Sequence, residues 1–215
     1  MISSMNGEAI RTPSPDRSST RTRNPRGQGE RLRGEILAAA SRLLSELGGE
    51  QAVTIRGVAR AAGIAPASIY EHFADKAALV DGLVEYDYHR LTQALTAAGV
   101  SGDPRQALTD QMHAYCRFAL ENPGHYRLLL TRRKSVQGNA SLSPALALVA
   151  GTFERCAKTG YPLRMSAERA AVMVFVGVHG RVALFHSDDA ETDTAAALLF
   201  ADELSGLMFL SPDDY

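Results

Sequence analysis

Residues 53–73 read VTIRGVARAAGIAPASIYEHF, two short helical patterns on either side of Gly63. In the first, Ile55, Val58, Ala59 and Ala62 recur at the spacing of one helix face. Thr54 stands directly before them as an N-cap, its hydroxyl placed to accept from an unpaired N–H of the first turn. Gly63 suits the left-handed position just past a helix end, where any other residue meets a Cβ clash. Pro66 opens the second pattern, because its missing N–H and fixed φ fit the first helical position. Ile69 and Phe73, four apart, point back toward a core. Two short helices about a glycine turn make a helix-turn-helix. The second helix, expected over Pro66 to His72, then turns Ala67, Ser68, Tyr70, Glu71 and His72 outward. Those groups are small or hydrogen-bonding, which suits a helix entering a groove of duplex DNA.

The longer stretch Ile36 to Val80, ILAAASRLLSELGGEQAVTIRGVARAAGIAPASIYEHFADKAALV, closely resembles the N-terminal domain of TetR-family transcriptional regulators. The resemblance rests on Thr54-Ile55-Arg56, Ala62-Gly63-Ile64 and Ile69-Tyr70-Glu71-His72-Phe73, with Lys76 three residues further on and no gap. It implies an all-α homodimer, most simply a repressor released from a palindromic operator by a small organic effector. A three-helix DNA-binding domain, residues 29–75, would precede a helical effector-binding and dimerisation domain, residues 76–215. Thr54 and Tyr70 are expected at phosphates, and His72 and Lys76 at the DNA backbone. Arg56, Ala67 and Ser68 are expected at or near base edges, the Arg56 fork matching O6 and N7 of guanine. Pro66 starts the helix that would carry them in.

Composition is consistent with this and adds little. Apolar residues make up 45% and charged residues 22%, ordinary for a chain with a buried core. The net charge of −1 is unevenly spread: residues 1–80 hold 11 Lys+Arg against 8 Asp+Glu, and the remainder 12 against 16. A mildly basic first part suits a nucleic-acid partner. The expected location is the cytoplasm, since no apolar run is long enough for a membrane span and the first residues lack a signal-peptide core. Cys116 and Cys156, the only cysteines, read as small buried apolar residues.

Residues 1–28 are rich in Ser, Thr, Pro, Gly and Arg and predict a disordered segment. Arg11, Arg17, Arg21, Arg23 and Arg26 there form either a basic arm along phosphates or a minor groove, or a solvated tail. Leu32, Ile36, Ala39, Ala40, Leu43, Leu44 and Leu47 predict an amphipathic helix over 29–47, ending at Gly48-Gly49. Asp75 is the expected N-cap of a helix from Lys76 to about Ala98, a lever of about 30 Å. Further helices are expected from Pro104 to about Leu120, stopped by Asn122-Pro123-Gly124, and from His125 to Arg132. A loop over 133–143, carrying part of the Arg132-Arg133-Lys134 run, precedes a helix from Pro144 to Lys158. The last two helices, Met165 to Phe185 after a Ser166 cap and Ala195 to Phe209, are the most apolar. Residues of about 165–186 and 192–210 are therefore expected to pair with a second copy, since one chain of this size cannot cover them. Asn122-Pro123-Gly124-His125-Tyr126-Arg127 and Gly177-Val178-His179-Gly180 further resemble a C-terminal domain named for a Trp-His-Gly signature, with Val178 in place of the tryptophan.

No catalytic motif, metal-ligand spacing or phosphate loop is present, and no cofactor is expected. His113, His125 and His179 read as core or ligand-facing polar groups in preference to a metal site. Met112, Tyr115, Phe118, Tyr126, Phe153, Phe175 and His179 are the expected lining of an effector pocket, and equally suit plain core packing. The alternative to a regulator is a small-molecule-binding protein or enzyme whose helix-turn-helix is only structural.

Overall fold

The apolar stripe ending at Leu47 winds a helix, α1 (Gln28–Leu47), that buries Ile36, Leu37, Ala39, Ala40 and Leu44. The computed structural model describes residues 28–131, 143–186 and 193–211, and within them the protein is all-α. After Gly48, whose φ is +74°, a single 3-10 turn (Glu50–Ala52) leads into α2 (Ile55–Ala62) and α3 (Pro66–Tyr70). Then come α4 (Lys76–Ala98), α5 (Pro104–Glu121), α6 (Pro123–Thr131), α7 (Ser143–Lys158), α8 (Ala167–Phe185) and α9 (Thr194–Gly206). Helices α1 to α3 and the start of α4 form a small head around Val53, Val58, Ile69, Phe73 and Leu79. Helices α5 to α9 form the body, and α4 runs between the two.

Four predicted caps are present. Thr54, Asp75 and Ser166 accept from the backbone N–H groups of Gly57, Ala78 and Arg169. Gly63 is left-handed at φ +69°, the conformation the turn requires. The three N-caps each satisfy a donor that the helix cannot satisfy itself, and the Gly63 N–H serves carbonyls at the end of α2, which fixes where the chain enters and leaves.

Several boundaries differ from expectation. Gln28 opens α1 and does not close the disordered segment; residues 1–27, with the five arginines, lie outside the described residues. Helix α3 ends at Tyr70 and not His72, because the N–H groups of His72 and Phe73 converge on the Ile69 carbonyl and close a turn. Asn122 ends α5 with its side-chain amide on the Phe118 carbonyl, but Pro123 already begins α6, as proline can at a first helical position. The helix expected from His125 to Arg132 thus runs from Pro123 to Thr131. Of the loop expected over 133–143, Ser143 already begins α7 and the rest lies outside the described residues, as do 132, 187–192 and 212–215. Helix α9 stops at Gly206 and not Phe209, because Phe209 leaves it to pair its backbone with Leu163 and its ring with Phe153 and Tyr161.

Head and body meet where α6 begins. A Cβ added at Gly124 would lie 2.9 Å from the Leu44 carbonyl oxygen and 3.4 Å from Gly48. Backbone stands on the other side of that contact, so it cannot yield as a flexible side chain would. Gly124→Ala is expected to destabilise the protein by about 1–3 kcal/mol through overpacking, read as a lower urea midpoint at unchanged slope.

Candidate nucleic-acid interface

The head presents one polar, unburied surface. Thr54 caps α2 with its oxygen 3.1 Å from the Gly57 nitrogen, which leaves the hydroxyl proton available to an outside acceptor. Two residues on, Arg56 is exposed, as is Arg60 a turn later. Helix α3 buries Ile69 completely and turns Pro66, Ala67 and Tyr70 outward, Tyr70 with 57% of its surface exposed; Ser68 is half-buried. His72 is half-buried beside Gly29 of α1, and Lys76, also half-buried, begins α4 behind the Asp75 cap. The structure therefore brings the eight sequence-predicted residues to two adjacent short helices, the turn that follows them and the start of a third helix, all on the head.

Two further arginines hold this surface in place, and one of them, Arg42, escaped the sequence reading. Arg42 of α1 donates to the Ala61 carbonyl at 3.3 Å, tying α1 to the last turn of α2 just before the glycine corner. Arg33 lays its guanidinium over the Phe73 ring at 5.0 Å, and Gly82 leaves room for both. Long cationic side chains cover apolar surface in this way, and sequence spacing alone does not distinguish that use from a solvated charge.

At the joint between head and body lies a buried polar chain. Asp87 and His125 have no exposed surface, and their Oδ2 and Nδ1 atoms are 2.7 Å apart. A carboxylate only accepts, so Nδ1–H is the donor. On its far side, His125 Nε2 lies 2.9 Å from the Ser45 hydroxyl of α1. Arg90 extends the chain, with Nη1 3.5 Å from Asp87 Oδ1 and 3.3 Å from the Ser41 hydroxyl. Serine, histidine and aspartate in this order serve nucleophilic catalysis where N–H groups face the serine to hold an oxyanion. Here the serine stands on the last turn of a helix, whose free backbone groups are carbonyls. One of them, Gly48 O, accepts from Arg127 at 2.8 Å. The set is built as a strut across three helices. Its signal was present in the sequence: Leu79, Leu83, Asp87, Leu91 and Leu95 fall every four residues, and the acid occupies a core position in that row.

In the body, four of the seven expected effector-pocket residues meet. The Tyr126 hydroxyl donates to the His179 carbonyl at 2.8 Å, and its proton being so committed, the Tyr115 hydroxyl donates to His179 Nδ1 at 2.7 Å. Phe175 packs on Tyr115 with ring centroids 4.7 Å apart. Phe153 instead meets Phe209, Phe118 lies beneath the Arg90 guanidinium, and Met112 is fully buried. The three histidines take separate partners: His113 meets Asp202 of α9 at 2.8 Å, His125 the strut, and His179 the two tyrosines. Among the described residues no group of three or more His, Cys, Asp or Glu is placed to hold a metal ion, and no helix is long and apolar enough to cross a membrane. Both cysteines are buried, and burial pushes the Cys116 thiol up to about 11.

Residues 36–83 match the family described as bacterial regulatory proteins, tetR family, and residues 108–207 match the tetracyclin repressor-like C-terminal domain. The chain belongs to the TetR family. The TetR-type head so matched contains the helix-turn-helix, and the C-terminal match contains both Asn122–Arg127 and Gly177–Gly180. Val178, where the Trp-His-Gly signature has its aromatic residue, is buried. The nucleoid occlusion factor SlmA of Vibrio campbellii (strain ATCC BAA-1116) is 31% identical over 98 residues, 45% of this chain and 50% of that protein. The chain spans about half the length of the curated relatives it matches. A TetR family transcription regulator from Marinobacter aquaeolei VT8 shares the fold with a TM-score of 0.61 at 20% identity, over 85% of this chain and 97% of that one. So does the transcriptional regulator FadR from Bacillus subtilis, solved in complex with stearoyl-CoA, with a TM-score of 0.65 at 16% identity, over 81% and 98%.

The tyrosine pair gives this TetR-family body a pH signature. Burial, and then the neighbouring phenol, holds Tyr115 well above its ordinary value of 10.0, and burial takes Tyr126 to about 12. Both rings stay protonated when folded while the unfolded chain ionises near 10, so their contribution is complete below pH 10 and is lost toward pH 12. Unfolding midpoints should fall above pH 10, and Tyr126→Phe should flatten that fall. A midpoint indifferent to pH over this window would show the phenols are not buried as described.

Proposed function

We propose that the protein is a homodimeric transcriptional repressor that reads a near-palindromic operator through α3 and releases it on binding a small organic effector. The single observation that carries the reading is the outward face of the helix-turn-helix. Its back is fully buried at Ile69 and Val58, while Thr54, Arg56, Ala67 and Tyr70 in front are exposed without contributing to the core. In this reading Thr54 and Tyr70 bond phosphates, Arg56 with Ala67 and Ser68 reads base edges, and His72 and Lys76 position the backbone, with Pro66 starting the inserted helix.

The dimer is supported by what α8 and α9 leave uncovered. Val176, Leu199 and Leu207 are each about 60% exposed (62%, 59% and 64%), with Val172, Met173 and Leu184 beside them. Contiguous apolar surface of this kind marks an interface. Its α8 part runs along one face at steps of three and four, and Gly180 within it has open space where a Cβ would be. The operator reading requires the two-fold pairing to hold the two α3 helices about 34–36 Å apart, the repeat of successive major grooves. The effector reading draws on the Tyr115, Tyr126, Phe175 and His179 cluster, an apolar surround with hydrogen-bonding groups at its centre. Met112, Phe118 and Phe153 complete the proposed lining from the same core. An effector acts by favouring the dimer whose heads are misplaced for DNA, and a coupling of about 1–3 kcal/mol changes affinity roughly 5- to 150-fold.

Fluorescence anisotropy on duplexes from the chain's own upstream region, across a salt series, tests the DNA reading. Lys76→Ala should lower the log–log salt slope by about 1, and Tyr70→Phe should weaken all sequences alike. Arg56→Ala should instead cost about 1–3 kcal/mol at one base pair and relax the preference there. Salt-independent or absent binding by the unaltered protein would refute the reading. For the dimer, Val176→Asp with Leu199→Asp should convert the species seen by light scattering from two copies to one. An unchanged mass would place the interface elsewhere.

A further inference from the structure

We infer that the small molecule taken up by the body is uncharged, with a carbonyl-type acceptor at one end and a hydrogen-bond donor at the other; this rests on the effector reading above. Two observations on one face of α5 carry it. At Tyr115, hydroxyl protons gather. Tyr115 donates to His179 Nδ1 at 2.7 Å and Tyr126 to the His179 carbonyl at 2.8 Å, and the Tyr126 oxygen also lies 3.0 Å from that nitrogen. One turn earlier, Gln111 is only 2% exposed, and its Oε1 is buried with no hydrogen bond among the described residues. Residues four apart on a helix are neighbours, with about 5–6 Å between Cβ atoms.

The two ends ask for opposite groups. The Gln111 amide is held, because its Nε2 packs against Gly99 at the end of α4, where a Cβ would collide with it. An amide oxygen buried in this way carries a desolvation cost that an N–H or O–H brought by a ligand removes. At the other end, the Tyr115 proton rests on a side-chain acceptor. Rotation of one ring frees it without breaking a helix, and an oxygen from outside can take the place of Nδ1. Phe175, with its centroid 4.7 Å from that of Tyr115, adds an apolar plate beside this end. Charge is disfavoured there. Nδ1 accepts from a phenol, so the imidazole is neutral. Arg90, Arg105 and Arg181 lie over the rings of Phe118, Phe209 and Phe185. A carboxylate would leave water with those cations engaged elsewhere, and burying an unpaired charge costs far more than burying a carbonyl.

Four compounds of similar shape test this on the full-length chain. Para-hydroxyacetophenone carries both groups, acetophenone lacks the hydroxyl, para-ethylphenol lacks the carbonyl, and para-hydroxybenzoate has a charged head. In isothermal titration calorimetry para-hydroxyacetophenone should bind roughly fivefold or more tighter than each of the others. Gln111→Met, which keeps the length and removes the acceptor, should erase its advantage over acetophenone. Tyr115→Phe should erase its advantage over para-ethylphenol. Should either variant fail to fold, Gln111→Leu or Tyr126→Phe takes its place. Equal binding of all four, tighter binding of the benzoate, advantages that survive the substitutions, or no saturable binding of para-hydroxyacetophenone overturns the inference. The effector reading fails separately: the expected binding pattern with no change in duplex anisotropy keeps the ligand class and refutes release from DNA. Release of the duplex by para-hydroxybenzoate alone would keep the effector reading and overturn the inference.

Discussion

A carboxylate and an imidazole, both sealed from water, fix the place where α1, α4 and α6 cross. Charge in such a setting gains little net stability over a well-packed apolar substitute, because desolvation offsets most of the attraction. What it supplies is uniqueness. Apolar side chains at this crossing would accept several slightly different packings, whereas Asp87, His125 and Ser45 are satisfied together in one. The head therefore leaves the body in a defined direction, and the two can act as a single mechanical object.

Around that crossing the protein divides its side chains by duty. In the head, apolar residues face inward at Val58, Ile69 and Phe73, while Arg33 covers the Phe73 ring and Arg42, at the surface, donates to the Ala61 carbonyl. In the body, polar groups meet each other in two places, the Tyr115, Tyr126 and His179 cluster and the partly exposed pair His113 and Asp202. Among the described residues most of the exposed large apolar side chains lie along α8 and α9, with Leu47 at the end of α1 and Val100 just after α4 standing apart. The polar surface of the head and the exposed apolar residues of α8 and α9 stand on separate parts of the chain.

The head was legible because each of its boundaries is enforced locally. Thr54, Gly63, Pro66 and Asp75 act through their own backbone geometry, so residue type alone reveals them. The long helices were legible from periodicity, and their ends were not where tertiary contacts intervene: Phe209 leaves α9 for Leu163 and Phe153, and Pro123 starts a helix that read as a stop. Within the body, Met112, Phe118 and Phe153 read equally as pocket lining or as core, because aromatic and sulfur-containing side chains suit both. The strut at Asp87 announced one of its members, an acid in a leucine row, but its partners lie 38 and 42 residues away on other helices. Nothing in the spacing of a chain predicts which histidine crosses such a gap.

Helix α3 spans five residues, too few for a helix to persist by itself. Its form is imposed from behind, by Ile69 in the head core and by the glycine corner before it. Ala67 and Tyr70, on the opposite side, owe the fold nothing. Substitution at those two places is accordingly free to wander over evolutionary time with little effect on folding, so one scaffold can be redirected to a new address while its architecture stays intact.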